Sequence, residues 1–182
     1  MTFIDTKSPL WQYLSTTQQD LIEEGDYLLN NVIRHHQHQF KDYSYLVFPY
    51  AKAYEGFLKQ LFLDLHFISH LDYISDHFRL GKFLSPHLVE RLADRSLYLQ
   101  IKQYDSPVIA EKIWQTWKLG RNQIFHYYPH NTKAISLEEA ENIIAVILET
   151  MQTAYNLKDL KQANLTQKVP LNWEEHEERD II

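Results

Sequence analysis

The residues of this chain best suited to chemistry stand together at Gly120-Arg121-Asn122-Gln123-Ile124-Phe125-His126-Tyr127-Tyr128-Pro129. A guanidinium grips a phosphate by two parallel hydrogen bonds, and an imidazole exchanges a proton near neutral pH. An arginine followed five positions later by a histidine therefore suits work on a phosphodiester. Spacing alone is weak ground: with 6 Arg and 10 His among 182 residues, chance supplies roughly 0.3 such pairs. The ordinary structural reading is an arginine on helix-end carbonyls and a histidine serving as a helix C-terminal cation. The elements around the pair must decide.

Those elements read as helices, because 4 Gly and 6 Pro in 182 residues leave little turn chemistry for an all-β fold. In front of Arg121, Ser106-Pro107 supplies an N-cap and a first helical residue. Ile109, Ile113, Thr116, Trp117, Gly120 and Ile124 then form a buried stripe. The longest helix runs from about Tyr45 to Ile68 on the stripe Leu46, Val47, Tyr50, Tyr54, Phe57, Leu58, Leu61, Phe62 and Leu65, with Pro49 in its first turn. A helix from about Thr17 to His36 precedes it, and Leu10, Trp11 and Leu14 pin the lead-in to the body. Residues 69–84 form a connector with a short helix, and Ser85-Pro86 opens another helix through Leu97. Ser136 with Glu139 is a capping box that starts the last helix, which runs to Tyr155. The sum is an all-α bundle of four main helices plus one or two short ones: residues 1–158 as one domain, and 159–182 as an acidic C-terminal tail.

Bulk composition narrows the functions. The absence of cysteine excludes disulfides, thiolate metal sites and cysteine nucleophiles, and fits a reducing compartment. The opening residues show no basic run followed by an apolar stretch, and no run approaches the ~18 apolar residues of a membrane span. A cytoplasmic protein without membrane contact is expected. The net charge of −6 argues against a nucleic-acid binder until its distribution is read. Residues 171–182 carry −4 of it, whereas 107–134 hold Lys112, Lys118, Arg121 and Lys133 against Glu111, a local +3. Such a patch binds a phosphate backbone weakly and with steep salt dependence.

Two further sets of side chains have candidate roles. Lys52, Glu55 and Lys59 make a polar line beside the apolar stripe of the long helix, and the plain reading is an i,i+4 pair between Glu55 and Lys59. His66 and His70 have the i,i+4 spacing that can chelate zinc. No third ligand stands at a telling offset, so no metal and no cofactor is expected.

A helical bundle in which a long helix ends in R-N-x-x-x-H, here Arg121, Asn122 and His126, resembles the HEPN superfamily. These are small all-α domains, many of them metal-independent ribonucleases. The similarity covers roughly residues 40–157. In the HepT-like toxins the pattern extends to a tyrosine two residues past the histidine that can be adenylylated; Tyr128 stands at that offset. In the RNase LS-like toxins a basic residue and a glutamate stand three apart on an earlier helix; Lys52 and Glu55 match, with lysine where that family has arginine. The latter branch is the closer likeness.

The resemblance implies an endoribonuclease of a toxin–antitoxin or antiviral defence system. An RNA 2′-hydroxyl would attack the adjacent phosphorus. His126 would serve as general acid or base, Arg121 would stabilise the pentacovalent transition state, and Glu55 would orient one of them. Lys52, Asn122 and Lys118 would hold substrate, and a cognate antitoxin would be a partner. The alternative is a non-catalytic HEPN module that binds a nucleotide, an RNA or a partner. Five residues along an ideal α-helix separate Arg121 from His126 by about 140°, so one chain would struggle to converge both on one phosphate. The superfamily meets this by dimerising, which leads us to expect a two-fold homodimer with the 121–128 segments facing each other.

Overall fold

A computed structural model describes residues 4–35, 38–126, 129 and 133–159. All regular structure among them is helical: α1 Pro9–Tyr13, α2 Thr16–Tyr27, α3 Ser44–Asp64, α4 His70–Ile74, α5 Leu80–Leu84, α6 Val89–Leu92, α7 Leu97–Tyr104, α8 Pro107–Trp117 and α9 Leu137–Tyr155. Wider-wound π segments, Leu28–Ile33 and Lys118–Asn122, extend α2 and α8. The four main helices expected from the sequence are α2, α3, α8 and α9, with more short pieces between them than expected. None is long and apolar enough to cross a membrane. The acidic tail lies outside the described residues, apart from Asp159.

α3 is the centre of the bundle. Leu46, Val47, Tyr50, Ala51, Ala53, Tyr54, Phe57, Leu58, Leu61 and Phe62 are all buried, which covers far more of the circumference than a one-sided amphipathic stripe. α2 comes so close that a Cβ on Gly25 would lie 2.6 Å from the Tyr50 ring. The Tyr50 hydroxyl donates to Asp26 Oδ1 at 2.6 Å; burial, helped by that carboxylate, pushes the phenol pKa up. On another side the buried Tyr54 hydroxyl donates to the Ile113 carbonyl at 3.2 Å, tying α3 to α8. α8 and α9 share a buried contact between the Thr116 and Thr150 hydroxyls, 2.9 Å apart.

Local chemistry explains the ends. Ser106 caps α8 by accepting from Ile109 N, and Ser136 and Glu139 close the capping box of α9. α3 starts earlier than its apolar stripe does, at Ser44. Pro49 therefore sits past the first turn, its ring beside the bare Cα of Gly25. The same helix ends at Asp64 in a Schellman turn. His66 takes φ 62°, His66 N donates to Leu63 O, Phe67 N donates to Phe62 O at 2.8 Å, and the two phenylalanine rings stack. This separates the histidine pair: His66 closes α3 and His70 opens α4. Among the described residues no group of three or more His, Asp or Glu side chains is placed to hold a metal.

Between Ser85 and Leu97 the structure departs from the expected single helix. Pro86–Leu88 and Ala93–Arg95 are 3₁₀ turns flanking α6, and Ala93 holds φ 46°. Ser85 makes no cap; Ser96 instead caps α7 by accepting from Leu99 N. The apolar residues of this stretch are too sparse to carry a helix across a corner.

Gly120 sits inside the second π segment, where a Cβ would lie 2.8 Å from Ile147 Cδ1 of α9. Ile147 is fully buried and cannot swing away freely. Gly120→Ala should cost about 1–3 kcal/mol by overpacking. Adding Ile147→Val, which removes that methyl, should make the double variant more stable than the two single losses summed. Urea denaturation of the four proteins measures this; strict additivity would mean that the contact does not limit packing.

Candidate functional site

The helix carrying Arg121 does not keep α-helical pitch through His126. From Lys118 the winding loosens, and Gln123 N donates to Lys118 O at 3.0 Å, an i→i+5 bond; Phe125 N then returns to Arg121 O at 3.0 Å. Widened turns of this kind are frequent at functional sites. The 140° separation belongs to an ideal α-helix and does not describe this segment. The turn follows from packing: α8 is held to α9 through Thr116 and Gly120, and past Gly120 the stripe continues only in the partly buried Ile124.

Arg121 is fixed from three sides. Its Nε donates to Glu55 Oε2 of α3 at 3.0 Å. Its guanidinium carbon lies 5.4 Å from the Trp117 ring centroid and 5.8 Å from that of Phe125, one turn before and one after. The carboxylate that the sequence offered to either Arg121 or His126 is thus on Arg121, and the expected Glu55–Lys59 pair does not form. Among the described residues Arg121 makes no bond to a helix-end carbonyl, which removes the ordinary reading of this side chain.

α3 and the 121–125 segment run antiparallel, because Phe48 meets Phe125 at a ring distance of 5.2 Å while Glu55 meets Arg121. Phe48, Lys52 and Glu55 fall at i, i+4 and i+7 on one row of α3. Lys52 therefore lies between the two contact points, exposed and in none of the ion pairs formed among the described residues. His126 is exposed, immediately after Phe125.

A cleft of about 310 Å³ opens beside Arg121, lined by Glu55 and Asn122 from the expected site, by Trp117 of the core stripe and by Phe78–Lys82 from the connector. Asn122 is thus at the cleft, as the last residue of the π segment. Lys118 is not part of its lining; it is exposed at the start of that segment, near enough to Glu111 to help lower that carboxyl's pKa after Gln115 and Tyr98. Tyr128 lies outside the described residues. Arg79 and Lys82 had no part in the expected site, since nothing in a connector's pattern says which way its charges face. The available signal was Gly81 between them: a Cβ there would lie 2.5 Å from Trp117 Nε1.

No family model, curated protein or solved structure matches this chain. The resemblance to HEPN domains therefore rests on the motif residues themselves.

The Arg121–Glu55 pair is half-exposed, with 45% and 27% of the two side chains open to solvent. Exposed pairs contribute little, so Arg121→Ala and Glu55→Gln should each change folding stability by less than about 1 kcal/mol. Denaturant unfolding checks this; a loss above about 2 kcal/mol from either would make the pair a structural strut.

Proposed function

We propose that this protein is a HEPN-type, metal-independent endoribonuclease of a toxin–antitoxin or defence system, working in the cytoplasm as a homodimer. The observation that carries the reading is Arg121, held by Glu55 and two aromatic rings at the rim of a polar cleft, with an exposed His126 five residues further along the chain. Such an arginine is preorganised for a phosphoryl group, because its rotamer entropy is already lost before substrate arrives.

The reaction is transesterification within the RNA strand. The 2′-oxygen bonds to the adjacent phosphorus as the bond from phosphorus to the 5′-oxygen breaks, leaving a 2′,3′-cyclic phosphate and a 5′-hydroxyl. One base must take the 2′-hydroxyl proton, and one acid must protonate the leaving oxygen. With Arg121 from one copy facing His126 of the other, a dimer holds two composite sites, and in each the imidazole serves as acid or base while water takes the other task. Arg121 counters the charge gathering on the non-bridging oxygens, with Lys52 close by.

An exposed aromatic surface adjoins His126 and supports the dimer. Phe48 packs on Phe125, Tyr45 lies one turn before Phe48, and Phe40 lies 5.6 Å from Tyr45. A run of large exposed rings beside a charged site is the usual mark of an interface. The two-fold axis expected from the sequence would pass near this patch, and an antitoxin could block the same surface.

The second reading is a HEPN module that binds RNA without cutting it. One observation favours it: among the described residues nothing hydrogen-bonds His126 to fix its ring. The two readings part on cleavage in EDTA. The wild-type protein should produce 2′,3′-cyclic phosphate ends, and Arg121→Ala and His126→Ala should each lower the rate by at least about 100-fold. His126→Ala should keep wild-type affinity for RNA. A wild-type protein that binds RNA, cuts none and does not arrest growth when expressed without its antitoxin would leave the binding module.

A further inference from the structure

Arg79, Lys82 and Arg121 face one cleft that holds a single carboxylate, Glu55, and that carboxylate is bonded to Arg121. Arg79 spends Nη1 on the Asp76 carbonyl at 3.1 Å, which steadies the side chain while leaving Nε and Nη2 without a partner among the described residues. Lys82 rests against the Phe83 ring, 5.7 Å from its centroid, and enters no ion pair there. Arg34, Arg95, Lys112 and Lys158 each pair with a carboxylate, whereas Arg79 and Lys82, like Lys52 and Lys118, enter none of the ion pairs among the described residues. Uncompensated positive charge is thus gathered on this side of the site.

The fold spends a glycine to put it there. α5 presses its backbone onto Trp117 at Gly81, with no room for a Cβ, and this close approach brings the residues on either side of Gly81 to the Arg121 rim. The apolar walls cannot serve as a stacking platform: Trp117 is 4% exposed and Phe78 7%. A cleft with cations at its rim and no open ring face recognises phosphate and ignores the base.

We propose that Arg79 and Lys82 form a second phosphate subsite, which takes a non-scissile phosphate of the same single-stranded RNA whose neighbouring phosphate lies between Arg121 and His126. The inference rests on the proposed RNA-directed function of the Arg121 site, but not on its being catalytic. The subsite anchors the strand without reading sequence, and it makes a polynucleotide a better substrate than a dinucleotide.

The test uses the full-length chain and the variant Arg79→Ala/Lys82→Ala, with thermal melting to show that both fold alike. Affinity for a single-stranded oligoribonucleotide is measured across a salt series, and cleavage is measured on that oligomer and on a dinucleoside monophosphate, which has only the scissile phosphate. The variant should bind the oligomer about tenfold more weakly. Its salt slope should fall by roughly 0.7, the value for the one single-strand phosphate that is no longer neutralised. Cleavage of the dinucleoside monophosphate should be unchanged. An unchanged slope and affinity for the oligomer would overturn the subsite, as would an equal loss on the dinucleotide. Should wild type bind RNA without cutting it, the slope change alone decides: its presence upholds the subsite although the ribonuclease reading fails. Arg79→Glu/Lys82→Glu provides a second variant, for which a larger loss of oligomer binding is expected and an equal or smaller one counts against the proposal.

Discussion

The structure depends on one constraint: α3 must be buried almost all the way round and still leave one row open. Its ten buried residues receive α2 and α9 on two sides and α8 through the Tyr54 hydroxyl. What remains is the line Tyr45, Phe48, Lys52 and Glu55. Because neighbours fill the other faces, that line has a fixed direction, and it meets the 121–125 segment. Glu55 is thus presented to Arg121 by the hydrophobic core of the whole bundle. The ion pair contributes little to folding; the folding supplies the ion pair. This is the economy expected when a rigid element carries half of a site and a turn carries the other half.

Much of this frame is legible in the residues. The stripe of α3, the serine caps at Ser106 and Ser136, and the proline after Ser106 each carry their structure locally, so helix starts and the central helix follow from them. Lys52 and Glu55 are recognisable by spacing, and Glu55 does reach Arg121. The π turn at Lys118–Asn122 is not legible, because it arises where the apolar stripe of α8 thins to Ile124 while Gly120 stays held against Ile147. That contact spans 27 positions and has no local pattern. The broken stretch at 85–95 and the turn at His66 differ in kind: the first has too few apolar residues to hold one helix, and the second is a local Schellman turn with His66 at φ 62° in place of a cap glycine. For Arg79 and Lys82 the sequence holds one signal, Gly81 between them, but its partner Trp117 is 36 positions away and has no local pattern that points back to it.

Seen chemically, the site is a gradient of charge and exposure. At one end Arg121 is pinned and half-covered, with Arg79 and Lys82 across the cleft. At the other, His126 is open to solvent beside exposed aromatic rings. An imidazole that must transfer protons gains from water exclusion and from a fixed orientation. Neither is supplied among the described residues of one chain, and both would be supplied by a second copy closing over Phe48 and Phe125. The loosened turn replaces regular α-helical pitch between Arg121 and His126, so the ideal-helix angle does not describe the pair.

The most direct test of a site shared between two chains is complementation between two inactive subunits. Arg121→Ala and His126→Ala proteins are unfolded together, refolded as a mixture and assayed for RNA cleavage in EDTA. With random pairing, half of the dimers are mixed, and in each of these one of two composite sites holds both native groups, so about a quarter of wild-type activity should return. A mixture as inactive as either variant alone, with mixed dimers shown to be present, would contradict the shared site.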